Sequence, residues 1–314
     1  MFTPELKNNA DEDISVMVKV SNYSGSFICE CGDASNLTIK DCHETEAIFI
    51  SHTHIDHFIN FDTILRHQLG IQKRIVICGP KDIAKQVQAK ILGFTWNLIQ
   101  ENAIAYEIRE IIDENTIDYY ELIPPTWELK KLKTVTSEKI YKTKKFEVDF
   151  TILDHKTPSI AYLFKEFDTV KLNIKDSGFK GGIWARQLKE AFDSKNENQE
   201  IEIEGTTYFA KDLFHLLERK QGDSFGIIMD HAANSENHEK IKNLFSETNQ
   251  VYIEAFYKEE DKEAAILNFH SYASASAKIM KECEVKNPTP VHYSRKYNAD
   301  EVEELRNEFY KALQ

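Results

Sequence analysis

The sequence predicts an α/β or α+β protein in which helices cover β-sheets. Short apolar runs of strand length alternate with amphipathic stretches of helical period, and the chain carries no internal repeat. One stretch places Phe146, Val148, Phe150 and Ile152 two residues apart, which is the period of a strand. Hydrophobic residues make up 41% of the 314 residues and charged residues 29%. This composition is ordinary for a globular protein with a sizeable core.

The elements follow one another in mixed order. Apolar runs predict strands at 15–20, 26–30, 47–50, 74–78, 146–153, 226–229 and 251–253. Helical periodicity predicts helices at 58–69, 82–92, 274–282 and 300–313. Helix 58–69 has Phe61, Ile64, Leu65 and Leu69 on one face, and Gly79-Pro80 ends the strand that precedes the second helix.

We expect a single domain over residues 1–314 with an inserted arm at 165–212. This segment is rich in Lys, Glu and Asp and includes "SGFKGGIW" and "DSKNENQE". On composition alone, a solvated surface excursion is favoured over a functional element.

Composition and charge exclude several classes of protein. The net charge of −13 argues against broad, non-specific nucleic-acid binding, which needs a basic surface. No apolar run reaches membrane-spanning length, and the first residues, "MFTPELKNNADEDISV", lack the regions of a signal peptide. Cys29 and Cys31 do not match the CxxC spacing. We therefore expect a cytoplasmic protein with reduced thiols and no membrane partner.

Histidines cluster in residues 48–57, "IFISHTHIDH". The chain has 11 histidines, and three of them fall within six positions directly after an apolar run. Other apolar runs also end at His, Asp or Glu, namely at His155, Asp230, Glu254 and His292. Ligands held at strand ends, on loops over a rigid sheet, are a common way for α/β proteins to build a site.

The residue types in this cluster suit metal ions. Imidazole and carboxylate are good ligands for zinc and similar ions, and one ion needs three or four ligands. Seven candidates therefore fit two ions that share one carboxylate. The candidates are His52, His54, Asp56, His57, His155, Asp230 and His292. The remaining isolated histidines are interpreted as structural, and they are His43, His67, His215 and His238.

"SHTHIDH" resembles the HxHxDH signature of the metallo-β-lactamase superfamily. That family has a four-layer αββα sandwich with its metal site along one edge of the two sheets. Later segments resemble the ribonuclease Z branch, in the same order along the chain. They are "ILDHKTPSIAYLF", "VYIEAFY", "NFHSYASASAKIM" and "VHYSRKY". The ordered set spans residues 15 to 297.

The resemblance implies two divalent metal ions, zinc or alternatively manganese, and a role for each ligand. His52, His54 and His155 would hold one ion, Asp56, His57 and His292 would hold the other, and Asp230 would bridge them.

The resemblance also implies three catalytic residues. His270, with Glu254 as its partner, would protonate the leaving oxygen. Asp56 would help to orient the attacking hydroxide as well as bind metal.

The chain departs from the family at several positions. Ile55 replaces a usual Gly, "FINFD" follows His57 in place of a Gly-Leu-Pro run, His231 follows Asp230 in place of Thr, and Tyr272 replaces Thr. "SGFKGGIW" resembles the Gly-Pro-rich tip of the family's tRNA-gripping arm but has no proline, and the arm mixes its charges. Its basic residues include Lys165, Lys171, Lys175, Lys180, Arg186 and Lys189, among the acidic Glu166, Asp168, Asp176 and Glu190.

Three hypotheses of function follow. The first is an endoribonuclease of ribonuclease Z type that removes the 3′ trailer of precursor tRNA by a dimetal-activated hydroxide. The resemblance implies that it is a homodimer, in which one subunit's arm serves the other's site. The alternative is a hydrolase of a small phosphodiester, such as a cyclic nucleotide, or of an ester. The second alternative is a non-catalytic RNA- or metal-binding protein, against which the complete ligand set argues.

Overall fold

The computed structural model describes residues 1–173 and 178–314, which separate into two compact units. The first unit comprises Met1–Lys165 and Ser224–Gln314, and the second comprises Glu166–Asp223. The inserted segment of the sequence analysis, 165–212, lies in the second unit apart from Lys165, and that unit continues to Asp223. Lys175 and Asp176 of the arm, and Ser177 of "SGFKGGIW", lie outside the described residues.

The strands are labelled in chain order. They are β1 (Phe2–Leu6), β2 (Val16–Val20), β3 (Ser26–Cys29), β4 (Thr45–Phe49), β5 (Arg74–Pro80), β6 (Ala105–Asp113), β7 (Thr116–Leu122), β8 (Lys130–Thr136), β9 (Lys139–Lys142), β10 (Phe146–Asp154), β11 (Pro158–Glu166), β12 (Thr169–Leu172), β13 (Glu200–Ile203), β14 (Thr206–Phe209), β15 (Leu217–Lys220), β16 (Ser224–Ile228), β17 (Gln250–Glu254) and β18 (Asn287–Val291).

The helices are labelled in the same way. They are α1 (Ile39–Glu44), α2 (Ile55–Phe58), α3 (Phe61–Gln68), α4 (Ile83–Leu92), α5 (Ile183–Asp193), α6 (Ala210–Leu213), α7 (Ser235–Phe245), α8 (Lys262–Leu267), α9 (Ala273–Glu282) and α10 (Ala299–Leu313). Short 3-10 helices occupy Phe214–Leu216 and Glu259–Asp261.

Two sheets face each other in the first unit. One contains β1 to β8 in chain order, and the other has the order β18-β17-β16-β11-β10-β9. Because side chains alternate along a strand, β3 directs Phe27 into the core between the sheets and Ile28 to the opposite face. Phe27 meets Phe146 of the second sheet edge to face, with ring centroids 5.3 Å apart. The inter-sheet core is therefore built from aromatic side chains of both sheets.

Helices cover both outer faces. Ile64 of α3 and Val87 of α4 pack in one buried cluster with Ile28 and Ile48 of the first sheet. Residues of α7, α9 and α10 pack in another with Ile228 and Ile253 of the second sheet. The order of layers is helix, sheet, sheet, helix, so the predicted αββα sandwich is confirmed.

The predicted helix 58–69 is wrong at its start. The structure has two helices there, α2 and α3, separated by Ile59 and Asn60. The break arises because Cys31, in the loop after β3, forms hydrogen bonds with backbone groups that a continuous helix would use. The N–H of Cys31 donates to the carbonyl of His57, and the carbonyl of Cys31 accepts from the N–H of Asn60, both at 2.9 Å. A long-range contact of this kind leaves no local signal in the sequence.

Parallel pairing sets the position of the candidate site. β16, β17 and β18 are parallel neighbours, and so are β3, β4, β5 and β6. The carboxyl ends of parallel strands meet at one edge of a sheet, so residues that follow these strands are brought together.

The second unit has a core of its own. β12 pairs with β15 and β13 pairs with β14, both antiparallel. Trp184 and Leu188 of α5 are buried with Ile201 of β13 and Leu213 of α6. The segment is thus a small folded element with its own core, and its role stays a prediction.

The cysteines and the lengths of the helices bear on two expectations from composition. All five cysteines are buried and free, and burial raises the pKa of Cys29 and Cys31 well above the ordinary thiol value. Within residues 1–173 and 178–314, every helix is too short or too polar to cross a membrane.

Candidate active site

The seven metal-ligand candidates come together at one edge of the sandwich. His52 and His54 follow β4, Asp56 and His57 lie on α2, and the other three each lie one or two residues beyond a strand. Those three are His155 after β10, Asp230 after β16 and His292 after β18.

Asp230 is at the centre of the cluster and divides its two oxygens. Its Oδ2 lies 3.4 Å from His155 Nε2 and 3.7 Å from His52 Nε2. Its Oδ1 lies 2.8 Å from His292 Nε2 and 3.4 Å from His57 Nε2. One carboxylate therefore faces two pairs of imidazoles, as a bridging ligand must.

Among the described residues, three groups of possible ligand atoms share this carboxylate. The seven candidates make up two of them, and Asp230 with Glu254 and His270 makes up the third. In each group the atoms lie within 4.8 Å of one another, which is close enough to surround one ion. The first group is His52, His54, His155 and Asp230, and the second is Asp56, His57, Asp230 and His292.

The histidine rings are held by bonds to their other nitrogens. His155 Nδ1 donates to the carbonyl of Phe269 at 2.6 Å, and His52 Nδ1 lies 3.0 Å from Ser51 Oγ. A donor bond at Nδ1 leaves the lone pair on Nε2, so His155 presents a metal-binding atom to the centre of the cluster.

Glu30 is a candidate site residue that the sequence analysis did not name. It is fully buried directly after β3 and accepts from His57 Nδ1 at 2.9 Å. The N–H and the hydroxyl of Ser51 also donate to it, each at 3.0 Å. The sequence did contain a signal for Glu30, because this residue lies at the end of the predicted strand 26–30, just as the other site residues lie at the ends of predicted strands. Both Glu30 and His292 have positive φ, a conformation that tends to occur at functional sites.

Asn237 of α7 is a second residue that was missed. Its side chain accepts from Asp154 N at 2.8 Å and donates to the carbonyls of Asp154 and Ala232. These bonds tie the loop that carries His155 to the loop that carries Asp230.

Unpartnered polar atoms show that the cluster fits cations. The Nε2 atoms of His52, His57 and His292, together with Asp230 Oδ1, are buried and have no hydrogen-bond partner among the described residues. His292 Nε2 approaches Asp230 Oδ1 closely, but not in hydrogen-bond geometry. Buried polar atoms without partners are costly, and a metal ion bound between them would satisfy them.

Electrostatics favour the ligand forms of two residues. Burial lowers the pKa of His52 far below its ordinary value, and His57 lowers it further, so that ring is neutral. Burial would raise the pKa of Asp230, but His292 and His57 outweigh it and hold that pKa well below its ordinary value. A neutral imidazole and an ionised carboxylate are the forms that bind metal.

His270 and Glu254 form the predicted pair beside the cluster. His270 Nδ1 makes a short contact with Glu254 Oε1 and lies 3.8 Å from Asp230 Oδ2. Burial lowers the pKa of His270, but the charges of Glu254 and Asp230 outweigh it and the net shift is upward. Phe256 stacks face to face on the ring, with centroids 3.9 Å apart and planes 8° apart. The ring of His270 is therefore held in place, and its protonated form is favoured.

The remaining histidines lie outside the two ligand groups. His43 Nε2 lies 2.8 Å from the carbonyl of His67, which is a structural contact as interpreted. His215 is exposed in the second unit, and His238 is partly buried on α7. His231, whose role the sequence left open, is fully buried beside Glu254.

Two positions at which the chain departs from the family motif, Ile55 and Ile59, are exposed beside the ligand cluster. Ile55 is 74% exposed and Ile59 is 45% exposed. With Phe256 they line a cavity of about 400 Å³, which also reaches Asp56 and His292. This cavity is thus partly apolar next to the ligand cluster.

Curated relatives resemble the chain over most of its length. No protein-family model matches it. Ribonuclease Z of Deinococcus radiodurans is 24% identical over 98% of this chain and 94% of its own. Ribonuclease Z of Borrelia recurrentis is 27% identical over 93% of this chain and 84% of its own.

Solved structures share the fold. Human tRNase Z, short form, has a TM-score of 0.56 at 15% identity and covers 95% of this chain and 94% of its own. The metallo-β-lactamase fold protein YhfI of Bacillus subtilis has a TM-score of 0.59 at 10% identity, with 99% and 92% coverage. Together with the curated relatives, these likenesses confirm the predicted resemblance to the ribonuclease Z branch, and with it the prediction of a metal-dependent hydrolase.

Proposed function

We propose that this protein is an endoribonuclease of ribonuclease Z type that removes the 3′ trailer of precursor tRNA. The observation that carries the proposal is the pair of ligand groups sharing Asp230, with the Glu254–His270 pair beside them. The full-length likeness to curated ribonucleases Z supports the choice of substrate. We also propose that it works in the cytoplasm as a homodimer, in which one subunit's second unit contacts the RNA at the other's site.

Two divalent ions, zinc or alternatively manganese, fit the two ligand groups. His52, His54 and His155 would hold one, Asp56, His57 and His292 the other, and Asp230 both. Bound cations at such a site supply activation of water and compensation of the charge on phosphoryl oxygens.

The chain's own residues would perform the remaining steps. Asp56 is partly exposed at the cavity and can accept a hydrogen bond from the attacking water, which orients it. His270 would donate a proton to the leaving 3′ oxygen, because Glu254 keeps its ring oriented and favours its protonated form. The loop contacts of Glu30 and Asn237 keep the ligands in place while this happens.

Mapping the cut in a precursor tRNA tests the proposal. Purified protein with added zinc or manganese is expected to release the 3′ trailer and leave a 3′ hydroxyl directly after the discriminator base. The Asp230→Ala variant is the matched control and should leave the precursor intact. Retained hydrolysis of bis-p-nitrophenyl phosphate with no cut in the precursor would reject the tRNA substrate.

One observation favours a second candidate, a hydrolase of a small phosphodiester. Acidic residues outnumber basic ones in Glu166–Asp223, whereas a unit that grips RNA is expected to be basic. Deletion of residues 178–195 separates the two functions. Weaker cleavage of precursor tRNA with unchanged hydrolysis of bis-p-nitrophenyl phosphate would support the first, and equal loss on both would mean that the segment is structural.

A further inference from the structure

A fully buried histidine follows the bridging aspartate and has no part in the proposed chemistry. His231 has no exposed surface. Its backbone N–H donates to Glu254 Oε2 at 2.9 Å, a bond that any residue here could make. Its ring adds a second contact, because Nδ1 lies 3.2 Å from the same oxygen.

The surroundings of the ring determine where its proton lies. Nδ1 is also 2.9 Å from the carbonyl of Met229, so both neighbours of this nitrogen are acceptors. An imidazole nitrogen between two acceptors must carry the hydrogen. The Nδ1–H bonds the Met229 carbonyl and also lies 3.2 Å from Glu254 Oε2, so the ring adds an electrostatic contact to the backbone hydrogen bond that His231 makes with Glu254.

The carboxylate of Glu254 is divided between two imidazoles. Its Oε2 receives His231 and, at 3.4 Å, the N–H of Ser271, while its Oε1 contacts His270 Nδ1. Glu254 is fully buried, so water does not replace a lost donor. Without the ring contact, Oε2 keeps only the backbone donors of residues 231 and 271. The carboxylate is then held less firmly against rotation about its last bond, and Oε1 is held less firmly against His270.

We propose that His231 is a positioning residue, whose Nδ1–H fixes the Glu254 carboxylate so that its other oxygen orients His270. The inference rests on the proposed function of His270 as a proton donor. It assigns a role to the position where the family motif has a threonine. The order of action is His231, Glu254, His270, and only His270 would touch the substrate.

Two variants distinguish the effect of the Nδ1–H donor of His231 from the effect of the volume that its ring fills. In His231→Asn the amide nitrogen can occupy the place of Nδ1 and donate to Glu254. In His231→Leu the volume stays similar, but the donor is lost. His238→Leu is the matched control, since it makes the same change at a partly buried histidine outside the site.

The readout is the dependence of kcat on the leaving group. A proton donor matters for a poor leaving group and little for a good one. His231→Leu is expected to lower kcat by about tenfold or more for precursor tRNA and for phenyl phosphodiesters, as part of a general-acid contribution. For p-nitrophenyl diesters kcat should stay close to wild type, and metal content should not change. His231→Asn should restore the wild-type dependence, and His238→Leu should not alter it.

Three outcomes would overturn the inference. They are an equal loss on good and poor leaving groups, a loss of metal in His231→Leu, and identical behaviour of the Asn and Leu variants. Wild-type protein that cuts phenyl diesters but no precursor tRNA would reject the proposed function and still test His231.

Crystal structures of both variants provide a test that needs no substrate. The contact between Glu254 Oε1 and His270 Nδ1 should persist in His231→Asn and be broken or lengthened in His231→Leu. An unchanged contact in His231→Leu would contradict the positioning role.

Discussion

Two buried carboxylates each hold a histidine at the same edge of the sandwich, yet the two pairs differ in what surrounds the ring. Glu30 lies directly after β3 and accepts from His57 Nδ1, and Glu254 ends β17 and contacts His270 Nδ1. Both carboxylates are fully buried, and each also accepts bonds from the backbone.

The difference lies at the other side of each ring. His57 has no exposed surface, and its Nε2 lies between Asp56 and Asp230 at 3.5 and 3.4 Å. The side chain of His270 keeps 13% of its surface exposed and has Phe256 stacked on one face. The same carboxylate–imidazole pair thus suits a metal ligand where the ring faces carboxylates, and a proton donor where it reaches the solvent.

Removal of the proposed proton donor should have the largest effect. His270→Ala is expected to lower kcat for precursor tRNA by about 10²- to 10⁴-fold, because the leaving oxygen loses its acid. Metal content, measured by elemental analysis, should stay at the wild-type value. Near-normal turnover, or a loss of metal, would contradict the assignment of His270 as a proton donor and of His57 as a metal ligand.

Exchange of the two carboxylates for amides compares the pairs directly. Glu30→Gln should weaken metal affinity by about 10- to 100-fold, because His57 loses the partner that orients it and makes it more basic. Glu254→Gln should keep the metal and lose turnover. Competition with a chelator measures the loss of metal affinity, and kcat measures the loss of turnover. If Glu254→Gln lost metal and Glu30→Gln lost only turnover, His270 would be the metal ligand and His57 the proton donor.

The aromatic face on His270 should contribute a smaller amount. A stacked pair contributes about 0.5–1.5 kcal/mol, so Phe256→Ala is expected to lower kcat by roughly two- to tenfold. Phe256→Tyr keeps the ring and should stay near the wild-type rate. If Phe256→Ala also weakens metal binding, the aromatic ring supports the ligand cluster rather than His270.

A histidine outside both pairs gives the smallest effect, on stability. Burial, together with the charge of His231, lowers the pKa of His238 from 6.5 to about 4. The folded state then binds fewer protons than the unfolded state between these values, so stability present above pH 6.5 is lost as the pH falls toward 4.

The His238→Leu variant removes that contribution. Its Tm should therefore fall less than that of wild-type protein between pH 7 and pH 4.5 in thermal melts without added metal. Parallel curves for the two proteins would show that His238 does not titrate in this way.

Much of the fold could be predicted because its signals are local. The alternation in β10 places Phe146 and Val148 on the inter-sheet core, and the sequence shows this period directly. Strand ends at His155, Asp230 and His292 were also visible, and the structure brings these residues into one cluster.

What the sequence could not show depends on contacts between distant residues. The break between α2 and α3 comes from Cys31, and the role of Asn237 depends on loops that meet only in the folded chain. Phe256 gave no sign that its ring would lie on His270. Glu30 carried a usable signal, since a charged residue at the end of a buried strand needs a partner.

The most direct test of the central claim is the metal content of the purified protein, measured by elemental analysis after dialysis. We expect about two divalent ions per chain in wild-type protein, as in other two-metal hydrolytic sites, and fewer than one in Asp230→Ala. An unchanged ratio of metal to protein in Asp230→Ala would contradict the shared-carboxylate site on which the proposed function rests.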